Sequence, residues 1–282
     1  MSLMLRLLSI ILINSTIASA SSQTIEQKLI NFIDRAINTG KGYKFKKAQV
    51  IHEEVVPINK KWKAYFLKID LKIPSQNKDI SVKDVIFSDG KLVSKDFIDL
   101  NNGRSIKGKF SLPVSKELYD NKHFLMGNKN AKNKLLLFSD PLCPFCINFV
   151  PSLISWIKKH DKNFALYYYY LPLSIHPGSV TLVKAELAAS KLKKIKDLTL
   201  KIYSEGFEFF KSDEETILKD FNNVFKTNLT KKDINTEDIL KRVRNDIKVA
   251  NDLMVRGTPT LYVNGKKDPT RSLYKKIAKE GK

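Results

Sequence analysis

Cysteine is scarce in this chain, with two in 282 positions. Two thiols can form at most one disulfide, which excludes a small disulfide-rich domain. Beyond the first twenty residues the sequence also lacks long apolar runs, whereas a membrane-spanning helix needs about 20 such residues in succession. Arginine is sparse as well, with 7 of the 50 basic residues. What remains is a chain long enough for one or two globular domains, each with its own core.

The chain nevertheless carries a formal net charge of +21. Such a charge first suggests a nucleic acid or an anionic membrane as a partner. The basic residues are spread along the chain, however, and most are lysine, whereas base and phosphate recognition relies on the planar fork of arginine. We therefore interpret the charge as a solvated basic surface and expect no nucleic-acid partner.

Residues 1–20 have the pattern of a secretory signal peptide. Arg6 precedes the apolar run from Leu7 to Ile13, and Ala18 and Ala20 place small residues at a cleavage site. A membrane anchor is the alternative, but polar residues after Ile13 end the run well short of a spanning length. The mature chain is therefore expected outside the cytoplasm, in a compartment where thiols can oxidise.

Residues 21–110 are predicted to form a small α+β domain. An amphipathic pattern predicts a first helix that ends near Gly40, and strict alternation predicts a strand at 65–73. Asp89-Gly90 lies between two short apolar runs and predicts a hairpin turn. The segment contains no cysteine and nothing else that indicates chemistry.

Residues 111–130 are predicted to form a linker helix, and 131–282 a second domain with alternating strands and helices. Its first three elements make a βαβ unit: strand 135–138, helix 147–159 and strand 164–171. In such a unit the functional loop follows the carboxyl end of the first strand. A helical insert is predicted at about 177–250, before a last strand and helix.

Both cysteines lie in that loop, in one Cys-x-x-Cys motif formed by Cys143 and Cys146. The spacing places Cys143 at a helix N-terminus, where free backbone N–H groups and the helix dipole stabilise a thiolate. Cys146 lies one turn further on, close enough to form a disulfide with Cys143 or to resolve a mixed disulfide. Pro144 suits the first helical position, because its missing N–H is not needed there. The motif therefore predicts a redox-active dithiol.

Other interpretations of the motif are a zinc site and a purely structural disulfide. With His160 the spacing approaches that of a zinc finger, but His176 comes too late to be the next ligand, so no metal is expected. A disulfide between residues three apart closes a very short loop and adds little stability. Asp140 precedes the helix and is predicted to cap it or to accept a proton at the site, with capping favoured.

The segment Phe138 to Cys146 and the later Gly257-Thr258-Pro259 resemble the thioredoxin-fold proteins. With the separate N-terminal domain, they resemble more closely the DsbC/DsbG group of periplasmic disulfide-exchange proteins. The resemblance implies an α/β, thioredoxin-like fold with a helical insertion. It further implies that residues 21–110 are a cystatin-like α+β dimerisation domain, followed by the linker helix.

The resemblance also implies roles for single residues and no cofactor. Cys143 is the expected nucleophile and Cys146 the resolving cysteine. Thr258 and a cis Pro259 are expected to hold an extended substrate strand beside the pair. The residues expected to tune the redox pair are Pro144, Phe145 and Asp140.

The expected function is a periplasmic thiol:disulfide oxidoreductase that acts on cysteines of unfolded or misfolded secreted proteins. Thr258 favours an isomerase or reductase, because the monomeric DsbA-like oxidases usually have Val there; a DsbA-like dithiol oxidase on a dimeric scaffold is the alternative. A homodimer is expected, with a membrane redox partner that is a DsbD-like reductant or a DsbB-like oxidant. A holdase chaperone that binds unfolded chains is the alternative from another class.

Overall fold

The computed structural model describes residues 23–40, 42–192, 195–207 and 213–280, so the predicted signal peptide lies outside the described residues. The helices are α1 (Ile25–Asn38), α2 (Pro144–Lys159), α3 (Ser179–Leu192), α4 (Leu198–Ser204), α5 (Glu214–Phe225), α6 (Lys231–Ile234), α7 (Glu237–Asp252) and α8 (Leu273–Glu280). The strands are β1 (Lys44–Val55), β2 (Lys63–Ile73), β3 (Lys78–Ser88), β4 (Val93–Ser94), β5 (Ile98–Asp99), β6 (Arg104–Ser105), β7 (Phe124–Gly127), β8 (Asn133–Ser139), β9 (Phe164–Tyr170), β10 (Thr260–Val263) and β11 (Lys266–Lys267).

The described residues up to 50 and residues 68–82 form one compact unit. Its helix α1 begins after Thr24, whose side chain accepts a hydrogen bond from the Gln27 N–H at 3.2 Å, and it ends close to the predicted Gly40. Leu29 and Ile33 are the buried residues of this helix. They lie four apart, which is the spacing of one helical face.

The second unit comprises residues 51–67 and the described residues from 83 onward. Within this unit the end of β1, the start of β2 and the end of β3 lie in chain order in a sheet with β4. β3 and β4 form the predicted hairpin, in which Phe87 lies opposite Ser94. Gly90 in its turn has a φ of +91°, a conformation that suits glycine.

A core within this second unit joins the sheet to the C-terminal half of the chain. Phe66 of β2 and Phe87 of β3 pack in it together with Phe110 and Met254. The division into compact units therefore differs from the predicted boundary at residue 110, because part of the sheet packs on a residue that follows α7. Dimerisation through residues 21–110 stays a prediction.

The prediction of a linker helix at 111–130 is wrong. The segment contains a single turn of 3-10 helix, Lys116–Leu118, and then strand β7, which pairs antiparallel with β9. Gly127 permits this close pairing: its φ is +92°, and a Cβ there would lie 2.2 Å from the Phe164 carbonyl oxygen. Pairing with a strand far along the chain decides the conformation of β7, and local composition does not reveal it.

The second sheet has the strand order β11-β10-β8-β9-β7. Its centre is the predicted βαβ unit, in which β8 and β9 are parallel and α2 connects them. β10 is antiparallel to β8, and Thr260 lies opposite Phe138. The segment just before β10 therefore lies beside the loop that follows β8.

Side chains cover both faces of β9. Tyr168 and Tyr170 belong to one core with residues of α2, whereas Tyr167 and Tyr169 belong to another that contains Ala250 of α7. All four tyrosines are buried, as expected of a central strand between two layers.

Helices α3 to α7 form the predicted helical insert between β9 and β10. They share an apolar core that includes Leu182, Phe221 and Ile239. Leu142, from the loop after β8, belongs to the same core, so the insert packs directly on the loop that carries the cysteines. Within the described ranges, we find no helix with both the length and the apolar character needed to cross a membrane.

Candidate active site

The two cysteines are held by the junction of β8 and α2. Cys143 is the N-cap residue of α2, and Pro144 is at the first helical position, as predicted. The Cys143 carbonyl oxygen accepts the first hydrogen bonds of the helix, from the N–H groups of Cys146 at 2.8 Å and Ile147 at 2.9 Å. Both thiols are free. The side chains thus meet at the positive end of the helix dipole.

The two thiols differ in their access to solvent. Cys143 is 3% exposed and Cys146 is 0% exposed, so only the first offers any surface to another molecule. Phe145, between them, is 70% exposed. It provides an apolar contact surface next to the reactive sulfur and makes no hydrogen bond through its side chain.

Thr258 and Pro259 lie against the first cysteine. The bond between them is cis, as the resemblance implies, and the Cys143 Sγ is 3.4 Å from the Thr258 carbonyl oxygen. The Thr258 hydroxyl is buried and has no hydrogen-bond partner among the described residues. The structure therefore brings the predicted substrate-binding residues together with the predicted nucleophile.

Hydrogen bonds lower the pKa of Cys143 to about 5. The largest contribution comes from the Cys146 thiol, followed by Thr258 and the backbone N–H groups of Cys146 and Phe145, whereas burial acts in the opposite direction. An ionised Cys143 has no proton to give to the Thr258 carbonyl, but Thr258 still contributes to lowering the pKa of Cys143. A thiol with this pKa is thiolate at neutral pH, which is the form that can attack a disulfide.

Burial raises the pKa of Cys146 well above the ordinary value for a thiol, and the hydrogen bond that it donates to Cys143 adds to the shift. The backbone of Asp140 and the Ser139 hydroxyl act in the opposite direction but are outweighed. One cysteine is thus ionised and the other protonated at neutral pH. A three-residue spacing produces this difference because the first residue meets the helix N-terminus and the second enters the core.

Asp140 does not cap α2, which corrects the favoured interpretation of this residue. The side chain is completely buried, and its carboxylate lies at the centre of four hydrogen bonds. The partners are the N–H groups of Leu142 and Leu173 and the His176 Nδ1, each at 2.8 Å, and the Ser179 Oγ at 2.5 Å. Asp140 therefore fixes the cysteine loop to the start of the helical insert.

Several buried polar residues near the pair were not predicted from the sequence. The Ser139 Oγ lies 2.7 Å from the Tyr203 hydroxyl, which lies 2.5 Å from the Tyr168 hydroxyl. Glu186 of α3 is also buried, and burial raises its pKa to about 7 although Thr199 donates a hydrogen bond to it at 2.6 Å. No local signal marks these residues, because each meets its partners only through the packing of the insert on β8 and β9.

The two histidines that were considered as zinc ligands have other contacts. His160 stacks on Trp156 and its Nδ1 lies 2.9 Å from the Trp156 carbonyl oxygen, while His176 is bonded to Asp140. In the part of the chain that the structure describes, no three side chains of His, Cys, Asp or Glu are grouped as a metal site.

A thiolate beside a protonated thiol can attack the disulfide of another molecule, which is reduced to two thiols while the pair becomes a disulfide; this reversible two-electron exchange needs no further group. Combined with a central βαβ unit and a cis-proline segment beside the first cysteine, it defines a thioredoxin-like dithiol protein. The family model described as Thioredoxin matches residues 120–279. The chain therefore belongs to the thioredoxin family.

Two curated relatives are named probable disulfide bond formation protein D. The one from Bacillus cereus is 30% identical over 152 residues, which are 50% of this chain and 69% of the relative, and the one from Bacillus anthracis matches equally. Oxidised BdbD from Bacillus subtilis is a similar solved structure, with a TM-score of 0.49, 19% identity, and coverage of 61% of this chain and 95% of that one. The chain is a thiol:disulfide oxidoreductase with Dsb-like relatives.

Proposed function

We propose that this protein oxidises pairs of cysteines in proteins outside the cytoplasm, with the Cys143–Cys146 disulfide as the oxidant. The pKa of Cys143, lowered to about 5, carries the proposal. A stable thiolate favours the reduced form of the pair, and this makes the disulfide a stronger oxidant. The reactive cysteine of thioredoxin has a pKa of about 7 and that of DsbA one of about 3.5. The relatives named for disulfide bond formation support the same direction.

The proposed cycle begins when a substrate thiolate attacks the disulfide at the Cys143 sulfur. Cys143 is the more exposed of the two cysteines. Cys146 leaves and takes up a proton, and a mixed disulfide remains on Cys143. A second substrate thiolate then attacks the substrate sulfur and displaces Cys143 as a thiolate. Two electrons pass from the substrate thiols to the pair, and the substrate leaves with a disulfide.

Substrate binding is proposed for the Thr258-Pro259 segment. Thr258 is partly exposed, and its carbonyl oxygen is within contact of the Cys143 sulfur. An extended substrate segment that paired with this backbone would place its own cysteine at the reactive sulfur. Phe145 would contact the apolar side chains of the same segment.

Disulfide isomerisation, the reaction of the DsbC/DsbG group, is the second candidate function. Thr258 favours it, as does the presence of a sheet of four strands ahead of the thioredoxin-like part. In this case Cys143 would work as a free thiolate that attacks a wrong substrate disulfide. We propose that residues 21–110 pair two copies of the chain, as the resemblance implies, whichever direction the pair favours.

We also propose that cleavage after Ala20 releases the protein into the periplasm. A DsbB-like membrane oxidant would then regenerate the disulfide of an oxidase, whereas a DsbD-like reductant would recharge an isomerase. The unfolded or misfolded secreted proteins that contain cysteine are the proposed substrates.

Trapping of the thiols in whole cells with an alkylating reagent separates the two directions. A mostly oxidised pair is expected for the oxidase, and a mostly reduced pair would favour the isomerase. With purified full-length protein, the oxidised form should introduce disulfides into a reduced substrate, and Cys143→Ser should not. Failure of the wild-type protein in this assay, and in repair of a scrambled substrate, would contradict both functions. Sedimentation of the mature chain tests the dimer, which a monomer at micromolar concentration would refute.

A further inference from the structure

A small pocket borders the active site on the side of Pro259. Its volume is about 190 Å³, and Lys267 and Arg271 line it together with Pro259. Arg271 also contacts the helix that carries the cysteines, because its guanidinium lies 5.6 Å from the centre of the Phe149 ring on α2. The pocket thus adjoins both segments that surround the reactive sulfur.

Lys267 brings a positive charge to this pocket without a compensating carboxylate. It is partly buried, and its Nζ donates to the Gly108 carbonyl oxygen at 2.7 Å. Within the described ranges no carboxylate lies at ion-pair distance from it. Burial lowers its pKa, because the charged amine has lost part of its hydration. Lys109, a further cation of the pocket, is already paired with Asp99 at 3.5 Å.

Arg271 is the second cation that has no ion-pair partner in the described part of the chain. The pocket contains one carboxylate of its own, Asp268, which is 4% exposed. Its two oxygens accept hydrogen bonds from the N–H groups of Thr270 at 3.0 Å and Leu273 at 2.8 Å. Asp268 therefore stabilises the start of α8. Lys267 and Arg271 remain available to bind an anionic group of another molecule.

We propose that this pocket binds a carboxylate of the substrate, from an aspartate or glutamate side chain close to the reacting cysteine. Substrate segments with such a residue should therefore react faster than segments without one. The inference rests on the proposed dithiol exchange at the same site. Pro259 lines the pocket and the neighbouring Thr258 contacts the reactive sulfur, so the carboxylate is placed a few residues from the cysteine on an extended substrate segment. One favourable charge pair near the surface changes the rate about fivefold, and salt weakens it.

The test measures reduction of the oxidised full-length protein by peptides with two cysteines, acetylated and amidated so that their ends carry no charge. Three peptides differ only in having Glu, Gln or Lys three residues from the first cysteine. Each rate is divided by the rate of the same peptide with 2-hydroxyethyl disulfide, which is uncharged, because a nearby charge also alters the cysteine of the peptide. The corrected rate should be about fivefold higher with Glu than with Gln, and lower still with Lys.

Two double variants separate the pocket from the overall charge. Lys267→Gln with Arg271→Gln should bring the Glu-to-Gln ratio close to one, while reduction by dithiothreitol, which carries no carboxylate, stays unchanged. Lys201→Gln with Lys219→Gln removes the same charge from α4 and α5 and should keep the ratio. Equal corrected rates for the three peptides with the wild-type protein, or a ratio that survives in the pocket variant, would overturn the inference. No exchange with any peptide would instead contradict the proposed function.

Discussion

Titration of the reduced protein tests the thiolate on which the proposed function rests. Cys143 should ionise with a pKa of about 5, because the Cys146 thiol, Thr258 and two backbone N–H groups all stabilise its thiolate. At pH 7 about 99% of it would then be ionised, compared with about 3% of a free cysteine with a pKa of about 8.5. The thiolate absorbance near 240 nm, followed from pH 3 to pH 9 with Cys143→Ser as the blank, measures this directly.

The redox potential should follow from the same shift. Thioredoxin combines a pKa of about 7 with a potential of about −270 mV, and DsbA combines about 3.5 with about −120 mV. A pKa of about 5 lies between these, and interpolation gives a potential of about −180 mV. Equilibration with glutathione buffers, followed by separation of the two forms, measures it. A value near −270 mV or below, or a titration of Cys143 near pH 8.5, would refute the reasoning.

The stability of the reduced protein should change with pH in a defined direction. The pKa of Cys143 is lower in the folded protein than in the unfolded chain, so its contribution is present in full above about pH 8.5 and is lost as the pH falls through about 5. Because pH 7 is two units above the folded pKa of about 5, the contribution at pH 7 is about 2.7 kcal/mol. The melting temperature of the reduced form, relative to the oxidised form, should therefore rise from pH 4 to pH 8. A constant difference across this range would contradict the assignment.

Thr258→Val provides a matched variant for the same measurements. Valine keeps the branched shape but removes the hydroxyl that is buried without a partner beside the thiol. We expect the pKa of Cys143 to rise by about one unit, which corresponds to a potential lower by about 30 mV. An unchanged pKa would mean that the Thr258 hydroxyl does not contact the thiolate.

Three further predictions concern stability. Asp140→Ala removes the acceptor of four hydrogen bonds and should lower the free energy of unfolding by about 3–5 kcal/mol in urea titrations; a loss below about 1 kcal/mol would contradict its central role. Gly127→Ala should destabilise the fold by at least about 2 kcal/mol, because its Cβ would lie 2.2 Å from a carbonyl oxygen. Gly103→Ala is the matched control, because Gly103 also has a positive φ, +65°, but has open space around it. The pKa of Glu186 is raised, so stability should fall as the pH rises from about 4.5 to 7, and Glu186→Gln should remove most of that dependence.

The parts of the fold that the sequence predicts are those that local chemistry determines. The hairpin at Asp89-Gly90 needs only a turn dipeptide between two apolar runs, and α2 needs only its cysteine and proline start and one apolar face. The predicted roles of Cys143 and Cys146 follow from the same local reasoning, because the helix N-terminus acts over a single turn.

The remainder depends on contacts between residues far apart in the sequence. The sequence predicts that Asp140 caps α2, but its partners His176 and Ser179 come 36 and 39 residues later, where the insert folds back on the loop. The sequence predicts a helix that includes residues 124–127, yet this segment pairs with β9. In both cases a partner that only the tertiary fold supplies outweighs the local preference, and a single sequence does not identify such a partner.

The opposite shifts of the two cysteines also bear on how long a substrate stays bound. Release of a substrate from the mixed disulfide without net reaction requires Cys146 to attack Cys143 as a thiolate. Burial raises the pKa of Cys146, so at neutral pH it remains protonated and this attack is slow. Cys143 has a lowered pKa and is the better leaving group when a second substrate thiol attacks. The asymmetry therefore favours completion of the exchange over its reversal, and it arises from one residue at the helix N-terminus and another a single turn inside the core.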